Sequence, residues 1–311
     1  MKKFVLIDGN ALVHRCYHAV PKTLKAPDGT LTNAVYGFVS ILLGILEIEK
    51  PEYLATAWDM KGPTFRDVIY TEYKGTRAKT DDELIRQFPL VRQVLDALGI
   101  PVFEKEGLEA DDYLGIVSEI LEREHPEIST LIVTGDKDAF QLVRGNTIVV
   151  SPVSGYTKVI RYDRQAVKDK MGVWPEQVPD FKGLSGDHSD NIPGVMGIGE
   201  KTAVRLLEEF GTVEAMYARL EEVQPERVRE LLRTGTEQAK LCKHLATILR
   251  EDGLDFKLEA CAMHDFEMGN ARRLFEALAF RTLLGRLERL NKPWDQRRAE
   301  ENAAETQGTL F

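Results

Sequence analysis

Four short apolar stretches, "KFVLID", "YLATAWD", "PVFEKE" and "TLIVTGD", constrain this chain most, because helical patterns such as Leu84 to Leu98 and Leu114 to Leu121 separate them. That alternation predicts an α/β fold, a mainly parallel sheet flanked by helices. After about Met171 the pattern changes to helices joined by Gly- and Pro-bearing turns: "KTAVRLLEEFG", "EAMYARLEEV", "PERVRELLRTG" and "NARRLFEALAF". The expected division is an α/β domain over 1–171, a helical domain over 172–290 and a flexible, mostly polar tail over 291–311, with no internal repeat. A chain of 311 residues, 43% hydrophobic and 29% charged, has enough apolar content for two modest cores.

The same reading excludes several classes. The longest apolar run, Gly37 to Ile48, is too short to span a bilayer and is expected to be a buried helix. Asp8 interrupts the apolar start and no cleavage-site pattern follows, so a cytoplasmic location without a membrane partner is expected. Cys16, Cys242 and Cys261 are far apart and unpaired by any CxxC spacing, which argues against disulfides and thiolate zinc. A net charge of -9 is unpromising for a nucleic-acid partner taken as a sum, but its distribution is uneven. Lys61, Arg66, Lys74, Arg77 and Lys79 outweigh Asp67 and Glu72 in one segment, while acids crowd into a few short motifs where divalent cations could neutralise them.

Asp8 and Asp59 end the first two strands, and Asp136 with Asp138 follow "LIVTG". Groups just beyond the C-terminal ends of parallel strands share one crevice, so these carboxylates are expected to converge. "LEADDYLGIV" adds Glu109, Asp111 and Asp112 at a helix start. One or two acids there would complement the helix dipole; three, with four more at strand ends, exceed what capping needs. Packed carboxylates repel and resist burial unless something positive joins them. All-oxygen ligands select hard cations such as Mg²⁺ or Mn²⁺, and two such ions about 4 Å apart suit in-line phosphodiester chemistry. His14 and His18 lack an HExxH context and His188 is not required by an oxygen site, so all three read as packing or surface residues.

The stretch "SGDHSDNIPGVMGIGEKTA" joins opposite preferences, offering Asp187 and Asp190 to a cation and glycine amides with Lys201 to an anion. "GIGEKTA" satisfies G-x-G-x-x-A but no strand precedes it, and Glu200 breaks a Walker A spacing. A tight hairpin between helices remains, with Gly194, Gly197 and Gly199 letting backbone amides approach a phosphate at the start of the Lys201 helix. An ordinary glycine turn is the alternative.

In order along the chain, "IDGN", "WDMKGPTFR", "YKGTR", "EADD", "TGDKDAFQL" and "GDHSDNIPGVMGIGEKTA" resemble the successive motifs of the flap endonuclease family, in particular the 5′ nuclease domain of bacterial DNA polymerase I, over about Phe4 to Arg289. The resemblance implies that Asp8, Asp59, Glu109 and Asp111 surround a first metal with Asp112 and Asp136 nearby, and that Asp138, Asp187 and Asp190 belong to a more outlying ion. It implies a helical arch near 61–90, whose base Tyr73, Lys74 and Arg77 match, with Lys74 and Arg77 contacting the scissile phosphate and sharing the catalytic work with Asp8, Asp59, Asp111 and Asp136; Tyr73 reads either as a stacking platform for a base or as a packing residue. Arg15 and Arg66 match further basic positions near the phosphate path, with a plain solvated-surface role as the alternative for each. Gly197, Ile198, Gly199, Lys201 and Thr202 match a helix-three-turn-helix that grips duplex DNA, with K⁺ held by backbone oxygens.

The implied activity is Mg²⁺-dependent 5′-3′ exonuclease and 5′-flap endonuclease cleavage in primer removal, replication and repair, with Mn²⁺ able to substitute. The implied partners are DNA with a 5′ flap, nick or 5′ end and RNA-primer/DNA hybrids. The alternatives are a noncatalytic DNA-junction binder, disfavoured by the complete acid set, and a PIN-like ribonuclease, disfavoured by "GVMGIGEKTA". The chain ends at Phe311, which is expected to make it a stand-alone nuclease working beside a separately encoded polymerase. Its last residues, "QGTLF", resemble the Q-x-x-L-F peptide that binds the bacterial sliding clamp, with Gln307 as anchor and Leu310 and Phe311 filling an apolar pocket.

Overall fold

Strand β1 (Lys2–Asp8) shows why the sheet is parallel and central: Phe4, Val5, Leu6 and Ile7 are all 0% exposed, so both of its faces are covered. A computed structural model describes residues 1–251 and 253–291 of the chain. The other strands are β2 (Tyr53–Ala57), β3 (Val102–Phe103), β4 (Ile128–Val133), β5 (Thr147–Ser154) and β6 (Lys158–Tyr162), in the order β3-β2-β1-β4-β5-β6. Every neighbouring pair is parallel except β5 with β6. The chain leaves β1 toward β2 and β3, then crosses back to place β4 on the other side of β1. The carboxyl ends of β1 and β4 therefore flank the switch point where open α/β sheets form their crevice.

Side chains alternate across the sheet with the period of two that a strand imposes. Phe4 and Leu6 join one core with Leu114, Val117 and Leu121 of the helix Ala110–Glu124; Val5 and Ile7 join the other with the helices Gly9–Ala19 and Asn33–Ile48. Each such fully buried aliphatic side chain contributes about 1.5–3 kcal/mol relative to an exposed one.

The expected helical region divides between these two cores. The helices Val178–Ser185 and Glu200–Phe210 pack on the side of Ala110–Glu124. The last two, Met268–Ala277 and Arg281–Leu290, lie instead on the other side of the sheet, where Phe275 and Leu287 join the core of Asn33–Ile48. Arg286 fixes that return by pairing with Glu47 at 2.6 Å and donating to the Ser40 carbonyl. The apolar pattern alone could not say which face these helices would choose. Among the described residues no helix is long and apolar enough to cross a membrane. The tail over 292–311, with Gln307, Leu310 and Phe311, lies outside the described residues.

Candidate metal and nucleic-acid site

Asp8 leaves β1 as the N-cap of the helix Gly9–Ala19, accepting from the Ala11 amide at 2.9 Å. Its other oxygen accepts from the Thr134 hydroxyl at 2.7 Å, and Thr134 in turn receives the Asp136 amide at 3.0 Å. Asp136 then accepts from the Asp138 amide at 3.0 Å, so a continuous ladder joins the ends of β1 and β4. Asp59, beyond β2, accepts from the Ala110 amide at 2.7 Å and so ties the start of the helix Ala110–Glu124 to the same edge.

Loss of water and mutual repulsion dominate this group. Burial, followed by the charges of Asp136 and Asp59, pushes the Asp8 carboxyl up to about 7 despite its two hydrogen bonds. Burial and the neighbouring charges of Asp136, Asp8 and Asp138 raise Asp111 well above the usual carboxylate range. Asp138 also rises to about 7 through burial, although Lys182 opposes the shift. Among the described residues no three such side chains close around a single point. The donors are nonetheless all hard oxygens, and the unneutralised carboxylates are the ones a divalent cation would draw together.

A second set of carboxylates is occupied by the protein's own cations. Lys182 bridges Asp138 and Asp187, holding the Asp187 carboxyl down at about 2 although burial opposes the shift. Asp190 turns away from that pair and receives Arg77 and, at 3.0 Å, the Tyr73 hydroxyl. Glu109 receives Lys74 at 2.8 Å. The backbone repeats these links. The Lys74 amide donates to the Asp190 carbonyl, and Asn191 donates to the Glu72 carbonyl, so the segment around Glu72 and Lys74 is docked on the loop that carries Asp187 and Asp190. Lys74 holds a left-handed φ of 54° within this docking, a conformation a lysine adopts only when its surroundings impose it.

Three expected roles need correction. Asp112 is 0% exposed and is held bidentately by Arg66 at 2.8 Å, while it also accepts the Glu109 and Leu249 amides; its lone pairs serve a structural ion pair, not a metal. Arg66, 2% exposed, spends its remaining donors on the Leu245 and Thr247 carbonyls and on Glu109 at 3.4 Å, so it is engaged within the protein and not offered to a phosphate. Tyr73 is 6% exposed with its hydroxyl on Glu109 and Asp190, which leaves no ring face for a base. Two residues that carry the site went unnoticed in the sequence. Thr134 had no signal, whereas Lys182 had one: it is a charge within "VPDFKGL", all of which is buried.

The loop from Gly186 to Gly199 is a closed ring followed by an open edge. Asp187 and Ile192 exchange both backbone hydrogen bonds, at 2.7 and 2.8 Å. Gly186 and Gly194 press together so closely that a Cβ on Gly194 would sit 2.3 Å from the Gly186 nitrogen, and both have φ in the left-handed region. Beyond the ring, Ile198 buries its side chain in the core and leaves only its backbone to a ligand. Gly197, Gly199 and Lys201 are exposed, and Thr202 is half-buried. Gly199 caps the helix Glu200–Phe210 without any side-chain hydrogen bond, and a Cβ there would meet nothing within 4 Å. No protein neighbour explains that glycine. One cleft of 810 Å³ is lined by Asp136, Asp138, Asp187, Lys182 and Gly199; Arg15 lines it too, donating to the Val153 carbonyl at 3.1 Å.

Residues 3–172 match a family described as 5′-3′ exonuclease, N-terminal resolvase-like domain, and residues 173–269 match its 5′-3′ exonuclease, C-terminal SAM fold. The chain is 42% identical over 287 residues to DNA polymerase I of Bacillus caldotenax, covering 92% of this chain and 32% of that protein, so it spans about a third of the length of such relatives. A T5 5′-exonuclease structure with divalent metal ions (zinc) bound superposes with a TM-score of 0.64 at 20% identity, over 93% of this chain and 98% of that one. The catalytic core of Rad2 in complex with DNA substrate superposes at 0.60 with 16% identity, covering 93% and 92%.

Proposed function

The chain belongs to the 5′-3′ exonuclease family, and on that premise we propose that it is a divalent-metal-dependent structure-specific nuclease that removes 5′ strands and 5′ flaps from duplex DNA. The observation that carries this reading is the cleft lined both by carboxylates and by a glycine helix start. Cleavage needs hard cations at the former, and duplex binding needs backbone amides and an uncapped helix dipole at the latter.

Asp8, Asp59, Glu109, Asp111 and Asp136 would hold an inner Mg²⁺ or Mn²⁺, and Asp138, Asp187 and Asp190 an outer one. Such ions supply a nucleophilic hydroxide near neutral pH and neutralise the phosphodiester oxygens. Lys74 and Arg77 hold Glu109 and Asp190 in the absence of DNA and would turn to the phosphate of an entering strand. Gly197, Gly199, Lys201 and Thr202 would seat a duplex phosphate without reading bases. K⁺ at the helix-three-turn-helix and RNA-primer hybrids as further substrates complete the proposal.

The deciding experiment is cleavage of a labelled 5′-flap duplex beside a nicked duplex and single-stranded RNA, with and without Mg²⁺. Flap cutting that requires the ion is expected; duplex binding without cutting would make the protein a junction binder, and a preference for RNA would make it a ribonuclease. Gly199→Asp separates gripping from folding. Aspartate is a good N-cap and its Cβ has room, so the melting temperature is expected to hold or rise while duplex affinity falls about tenfold or more from repulsion of the phosphate.

The raised carboxyls predict a further linkage. Asp8 and Asp138 stay protonated to about pH 7 in the folded protein but ionise near 3.8 when unfolded. Their contribution favours the ion-free fold below 3.8 and is lost as pH rises toward 7. A divalent cation reverses the penalty, so the rise in melting temperature caused by Mg²⁺ relative to EDTA is expected to be larger at pH 8 than at pH 5.5. An equal rise at both pH values would place the ion elsewhere.

A further inference from the structure

Lys182 differs from the other cations at the site. Lys74 and Arg77 reach their carboxylates from the segment following Glu72 and are partly open to solvent, with side-chain exposures of 26% and 48%. Lys182 rises from the helix Val178–Ser185, whose residues from Val178 to Leu184 are all buried, and its side chain is 8% exposed. Packing encloses its stem, and both carboxylates it can reach, Asp138 and Asp187, already engage it. Asp187 is further fixed by the amide and hydroxyl of Ser189, at 2.8 and 2.6 Å. The lysine's stem is held by packing and its ammonium, at the wall of the cleft, is anchored by two carboxylates, whereas Lys74 and Arg77 each engage one from a more open segment.

Resting on the ion-binding reading above, we infer that Lys182 is a positioning residue, a permanent internal cation that keeps the outer divalent-ion site weak in the free protein. Between Asp138 and Asp187 it cancels one unit of the negative charge the pair can offer, and it repels an incoming ion at close range, where effective protein dielectrics make a unit charge matter strongly. The inner carboxylates Asp8 and Asp111 are in no ion pair among the described residues: Asp8 meets the Ala11 amide and the Thr134 hydroxyl, and the cations on the inner set, Lys74 and Arg66, sit on Glu109. The two sites are thus set to fill in order: the inner one in the free protein, the outer one when a DNA phosphate adds the missing negative charge.

The test is calorimetric titration of Mn²⁺ into the DNA-free full chain, comparing wild type with Lys182→Met, which keeps the length of the stem, and Lys182→Arg, which keeps the charge. Near-ultraviolet circular dichroism checks that each variant is folded, and Lys182→Gln replaces the methionine variant if that one is not. Wild type is expected to show one tighter and one much weaker site. In Lys182→Met the weaker site is expected to tighten about tenfold or more while the tighter one changes little, and Lys182→Arg is expected to stay within about threefold of wild type. An outer site that weakens or does not change in Lys182→Met overturns the inference while leaving the metal-dependent reading intact. No heat of binding in any of the three chains overturns both.

Discussion

Asp136→Ala is expected to remove strand cleavage, by on the order of a thousandfold or more, while the folded protein becomes more stable in EDTA. Both halves follow from the position of Asp136 in the ladder. Its charge is among the causes that push Asp8, Asp111 and Asp138 upward, so it is the common neighbour of three carboxylates that resist ionisation. Deleting it relieves that repulsion in the ion-free state and withdraws one oxygen from the inner ion. A functional site that costs stability is the usual trade between activity and folding. Duplex binding in Ca²⁺, assigned under the proposed function to Gly199 in the cleft and to Lys201 in the helix that follows it, is expected to survive. Retained Mg²⁺-dependent turnover would remove Asp136 from the site, and a lower melting temperature in EDTA would show that its hydrogen bond to Asp138 outweighs its charge.

The second large effect concerns folding. Arg66→Ala is expected to destabilise the protein by about 3–5 kcal/mol, because it leaves Asp112 charged, fully buried and without its bidentate partner. The Leu245 and Thr247 carbonyls lose their donor in the same step. Asp112→Ala alone should cost a similar amount, and the double variant Arg66→Met with Asp112→Ala should cost clearly less than the two single changes added together. Denaturant unfolding of the three variants measures this coupling. Strict additivity would mean that each residue acts through other contacts, and a loss of Mn²⁺ binding confined to Asp112→Ala would return Asp112 to the ion-binding set.

The contrast between these two aspartates shows what the sequence could and could not disclose. Strands β1 and β4 were legible because a strand buried on both faces reads as an unbroken apolar run with an acid at its end, and those acids do meet at one edge of the sheet. Strand β6 was not, since its Lys158 and Arg161 are exposed at the sheet's edge and imitate a loop. Inside "EADD" the three acids look alike, yet Asp112 is held bidentately by Arg66, Glu109 is shared by Lys74, Tyr73 and a longer contact from Arg66, and Asp111 stands among the ladder's charges. That allocation depends on a segment near Leu245 to Leu249 that crosses the helix start from far along the chain. Spacing along the sequence holds no trace of such a partner.

The ring closed by Gly186 and Gly194 has a consequence for accuracy. Its crossed hydrogen bonds between Asp187 and Ile192, and the Val195 amide on the Leu184 carbonyl, make the link between the outer carboxylates and the helix start a rigid spacer with no slack to adjust. On the proposed function, a duplex seated at Gly199 meets the carboxylates at one fixed offset. Damage to the ring would then appear first as scattered cut positions, with the grip on the duplex still intact.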